Sequence, residues 1–84
     1  MHTAPIDLAI EAVGTLTELA RRMDVEPQVI VNWRTRGIPP LRVLEVERAT
    51  IPRDTVTDKP IEGAQPLVTR HKLRADLYPL EEAA

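Results

Sequence analysis

The chain has 84 residues, a formal net charge of −2, eight prolines and no cysteine. That length suits one small hydrophobic core. With no thiols, neither a disulfide nor a zinc–thiolate site can support it, which leaves self-association as the remaining aid. The absence of cysteine suits a reducing cytoplasm. The opening Met1-His2-Thr3-Ala4-Pro5 lacks the basic and apolar blocks of a signal peptide, and no apolar run is long enough to span a membrane.

In chain order, Ile6, Ala9, Ile10 and Val13 recur at helical spacing and predict a helix over 5–13, opened by Pro5 and stopped by Gly14. Thr15-Leu16-Thr17-Glu18 reads as a capping box for a second helix, Leu16 to Met23, with Leu16, Leu19, Ala20 and Met23 on its buried face. Asp24 must turn the chain and tolerates the left-handed region better than most residues. Pro27 fits the first position of a third helix to about Arg34, with Ile30 and Trp33 inward and Gly37 closing it. Pro39 and Pro40 open a fourth helix whose Leu41, Val43, Leu44, Val46 and Ala49 form a broad apolar stripe. Residues 51–68 hold Pro52, Pro60, Pro66 and Gly63 among polar residues. They read as a loop, or as a loose hairpin through Thr55-Val56-Thr57 and Leu67-Val68. Thr69 then caps a basic helix, Arg70 to Leu77, ended by Pro79, and Glu81 to Ala84 form a frayed tail. The expected fold is a single mainly α domain over 1–84, with about five helices. A short β element between the fourth and last helices stays open as an alternative to a loop.

A net negative charge counts against nucleic-acid binding, but Arg21, Arg22, Arg34 and Arg36 cluster, as do Arg70, Lys72 and Arg74, so one basic face is compatible with the total. Gln28, Val31, Asn32 and Thr35 fall on the outer face of the third helix. Two amides and a methyl-bearing side chain match major-groove edges, since Gln and Asn bond adenine bidentately and Val touches a thymine methyl. Arg34 and Arg36 would then flank the groove at phosphates, and the helix start at Thr15 and Thr17 offers backbone N–H groups to another phosphate.

The run from Gly14 to Gly37 resembles the Cro-like phage repressors and the YdaS-like antitoxin family. Leu19-Ala20, Val25, Pro27-Gln28, Ile30 and Trp33 match their pattern, followed by a basic loop ending in glycine. Ile38-Pro39-Pro40, Leu44 to Thr50 and Val68 to Pro79 are similar as well, which leaves 51–67 as an insertion. Asp24 stands where these families usually have Gly. Glu26 replaces a common Ser cap and places an acid beside the expected DNA face. The resemblance implies a helix-turn-helix at about 15–36 in a lambda-repressor-like domain. The candidate DNA-binding residues are Thr15, Thr17, Pro27, Gln28, Val31, Asn32, Arg34, Thr35 and Arg36. It also implies a phage or prophage repressor in the bacterial cytoplasm, at the nucleoid. Such a repressor binds double-stranded DNA as a homodimer on a palindromic operator, its reading helices ~34 Å apart. The candidate dimer surfaces are the 51–68 segment, through Val56, Ile61, Leu67 and Val68, and the last helix.

The other reading is an antitoxin-like interaction protein whose main role is to bind a partner protein. No catalytic, cofactor or metal residues are assigned. His2 and His71 are too few for a metal site. Glu45 and Glu47, two apart on a helix, diverge. There is no phosphate-binding glycine loop and no Ser/His/Asp arrangement, so nothing argues for an enzyme.

Overall fold

The computed structural model describes residues 4–79. The frayed tail expected over Glu81 to Ala84 lies outside them. The first three helices start and stop where local chemistry requires. Helix α1, Pro5–Val13, opens on Pro5 and closes at Gly14, whose φ of 111° excludes a side chain without strain. Helix α2, Leu16–Met23, follows at once, with the Thr15 hydroxyl accepting the Glu18 N–H at 3.0 Å. Only this half of the expected capping box forms, because the Glu18 carboxylate turns to Arg21 and Arg22 instead of reaching back. Thr15→Ala should therefore lower stability by about 1 kcal/mol, measurable as a fall in the urea midpoint with an unchanged slope.

Asp24 occupies the left-handed region at φ 58°, ψ 46°. The Asp24 N–H donates to the Arg21 carbonyl and the Val25 N–H to the Ala20 carbonyl, the two bonds of a Schellman closure. Helix α3, Pro27–Arg36, then runs two residues beyond the expected end and stops at Gly37. Pro40–Arg42 form a single 3-10 turn ahead of helix α4, Val43–Ala49. The expected stripe on this element is split. Val43, Val46 and Ala49 are buried, but Leu41 is 93% exposed and Leu44 stays at the surface.

Among the described residues, the 51–68 segment has one isolated antiparallel bridge, Arg53 to Pro60, closed by a turn in which the Asp54 carboxylate accepts the Val56 and Thr57 N–H groups. The hairpin through 55–57 and 67–68 does not form. Thr50 takes up the second stretch instead. Its carbonyl accepts the Leu67 N–H, and its buried hydroxyl accepts the Val68 N–H and donates to the Glu47 carbonyl. The proposed β element is also absent as a unit, since Val56, Ile61 and Leu67 are exposed while Val68 is buried. The last helix, α5, is one turn long, Arg70–Leu73, and Thr69 makes no side-chain cap. Arg74 leaves the helical region, and its guanidinium bonds the Ile38 carbonyl and Asp76.

Every helix contributes to the core: Ile6 and Ala9 from α1, Leu19 and Ala20 from α2, Ile30 and Trp33 from α3, Val43, Val46 and Ala49 from α4, Leu73 from α5, with Ile38 and Val68 between. Helix α1 packs on all four others. Among the described residues the fold is mainly α, five α-helices with almost no strand. No described helix is long and apolar enough to cross a membrane.

Candidate nucleic-acid interface

Three residues, Asp24 to Glu26, join α2 to α3. With Leu19, Ala20, Ile30 and Trp33 buried, the side of α3 that faces away from the core carries the polar residues. Gln28, Val31, Asn32 and Thr35 are all exposed, as are Pro27, Arg34 and Arg36. One turn apart, Gln28 and Asn32 are linked, the Gln28 amide donating to the Asn32 side-chain carbonyl at 3.2 Å. Two amide groups thus stand side by side on the outer face, each with further donors and acceptors.

At the start of α2, Thr15 and Thr17 are exposed. The Thr15 hydroxyl and carbonyl take the Glu18 and Leu19 N–H groups, so Leu16 and Thr17 supply the remaining N–H groups of that helix end.

The arginines behave differently from a basic face. Arg21 makes bidentate contacts with both Asp58, at 2.8 and 3.0 Å, and Glu18, at 2.9 and 2.6 Å. Arg22 bonds Glu18 at 2.9 Å and the Ala49 carbonyl at 3.0 Å. The Arg34 Nε donates to Asp7 at 2.8 Å. In the second cluster, Arg70 pairs with the buried Glu47, and Arg74 with Asp76. Of the seven clustered basic residues only Arg36 and Lys72 lack a carboxylate partner among the described residues.

This pairing depresses the carboxyl groups of Glu18, Asp58 and Asp76. Hydrogen bonds from Arg21 and then Arg22 hold the Glu18 carboxyl down to about 2, from an ordinary 4.5. Arg21 likewise lowers Asp58. A depressed folded-state pKa contributes stability above the unfolded value, lost as pH falls through the folded one. Thermal midpoints should therefore fall between about pH 4.5 and 2, and less steeply in Glu18→Gln. Equal slopes would show that the Glu18 bridges are absent in solution.

Sequence reasoning missed Glu47 and Thr50. Glu47 accepts the Arg70 backbone N–H at 2.7 Å and its guanidinium at 3.0 Å, which fixes α5 to α4. Neither long-range role has a local signal, because the partners concerned, Val68 and Arg70, lie 18 and 23 residues away.

Comparison with known proteins places residues 6–58 under the sequence model of a family described as "Bacterial toxin YdaS". No curated protein and no solved structure matches. The matched span holds α1 to α4 and ends at Asp58, so Val68 to Pro79, included in the resemblance drawn above, lies outside it. The description is that of a toxin, where the sequence resemblance points to the antitoxin side. With well over half of its length under this match, the chain belongs to the YdaS family.

Proposed function

We propose that this YdaS-family chain is a sequence-specific DNA-binding regulator of the Cro-repressor type, a binding protein and not an enzyme. In this reading α2 and α3 form a helix-turn-helix, and α3 enters the major groove. Gln28 and Asn32 read base edges, and Val31 and Thr35 pack against them. Arg36 and the unpaired nitrogens of Arg34 contact phosphates. The Leu16 and Thr17 N–H groups, with the Thr15 and Thr17 hydroxyls, hold a phosphate at the start of α2. Two copies bind a two-fold site in the cytoplasm. The observation that carries this reading is the exposed amide pair, Gln28 and Asn32, on the outer face of a helix anchored by Ile30 and Trp33.

Selection of bound duplexes from a random pool, followed by fluorescence anisotropy at two salt concentrations, tests it. The expected result is an enriched palindrome with half-sites about 10–10.5 bp apart. Because most arginines are already paired, few counterions are released, and log K against log salt should have a slope of only about −2 per bound copy.

The scarcity of unpaired cations, with the family's description as a toxin, favours a second reading, in which the chain acts on a partner protein. Failure to enrich any duplex, even at low salt, would remove the first reading and leave this one.

A further inference from the structure

Between α1 and the segment that leads into α5 lies a groove of about 300 Å³, lined by Leu8, Glu11, Ala12, Leu67, Val68 and Lys72. Its two leucines, Leu8 and Leu67, remain at the surface, with Leu67 57% exposed. Charges of opposite sign flank it, Glu11 from α1 and Lys72 from α5. Both are exposed, and neither has an ion-pair partner among the described residues. Most of the arginines, by contrast, have a carboxylate partner. None of the lining residues belongs to α2 or α3.

We propose that this groove is where a second copy of the chain docks, in an isologous contact. A two-fold axis brings each residue i against j of the partner and each j against i. An acid and a base on opposite walls are the self-complementary arrangement that such an axis requires. Glu11 meets the partner's Lys72, and Lys72 meets the partner's Glu11. The two Leu67 side chains, each more than half exposed, meet the opposite grooves beside Leu8 and Ala12. The exposed apolar area is modest, which places the contact among weak, reversible associations. The contact lies off α2 and α3, so it stands whether or not α3 binds DNA.

Sedimentation equilibrium on the full chain tests it by charge exchange. Wild type should self-associate reversibly. Glu11→Lys and Lys72→Glu should each weaken association by about tenfold or more, because each places like charges on both sides of the axis. The double variant, Glu11→Lys with Lys72→Glu, should recover wild-type association. Mixing the two single variants should produce a heterodimer, since one then carries only lysines at these positions and the other only glutamates. That recovery separates loss of contact from loss of fold. A wild type that stays monomeric throughout, or single variants that associate as well as wild type, would overturn the proposal, as would mixed variants that fail to pair. The DNA reading is scored separately, because a Lys72→Glu chain that still binds a single half-site retains the α3 function and loses only the pairing.

Discussion

Trp33→Ala is expected to unfold a large fraction of the molecules at 25 °C. Trp33 is the largest core side chain and the chain's lone tryptophan, 6% exposed on the inner face of α3. Truncating a buried aromatic to alanine typically costs about 3–5 kcal/mol, from lost transfer free energy and from the cavity left behind. Domains of this size start near the low end of ~5–15 kcal/mol, so the loss takes much of the total. At roughly 4–8 °C for each kcal/mol, the midpoint should fall on the order of 15–30 °C, followed by circular dichroism at 222 nm. A fall of less than ~5 °C would show that Trp33 does not close the α3 side of the core. In the wild type its fluorescence should be blue-shifted and should move to the red in a single transition with the helix signal.

The second large effect concerns binding. Asn32→Ala should cost about 1–3 kcal/mol on the selected duplex and flatten the base preference at one position. It should leave stability within about 0.5 kcal/mol, because Asn32 is exposed. Gln28→Ala should have a similar cost. The two losses should not add, because the Gln28 amide bonds the Asn32 carbonyl and each removal disturbs the orientation of the other. A double-mutant cycle in anisotropy measures the coupling. Equal loss on every duplex from Asn32→Ala would leave it a general contact and withdraw its base-reading role.

Much of the fold was legible because its punctuation is local. Pro5, Gly14, Thr15, Pro27 and Gly37 act through their own backbone angles and nearest N–H groups, and the boundaries of α1 and α2 followed from them. Asp24 was legible for the same reason. The fourth element was misread because it opens with a 3-10 turn, which advances about 120° per residue and carries Leu41 off the stripe that a 3.6-residue period draws. The last helix was read too long because Arg74, basic and apparently helical, is drawn out of the helix by the Ile38 carbonyl, 36 residues away.

For the site, the outer face of α3 could be read from spacing alone, and the structure leaves Gln28, Val31, Asn32 and Thr35 exposed as expected. The charges could not be read in this way. Asp7 lies 27 residues from Arg34, and Asp58 lies 37 from Arg21, so the fold decides which arginines remain available. The Asp58 contact also ties the supposed insertion to α2.

The packing of α5 against α1 and α4 bears on how the chain is made. Leu73 and Val68 are core residues, while Ile6 and Ala9, on the helix against which α5 closes, are translated well before them. At roughly 5–20 residues per second, Ile6 waits several seconds or more for Leu73 to be added. The family-matched portion, residues 6–58, lacks both of those late residues and so emerges with an apolar face still open. The core can therefore close only once α5 has been made, and until then the growing chain carries that apolar face uncovered.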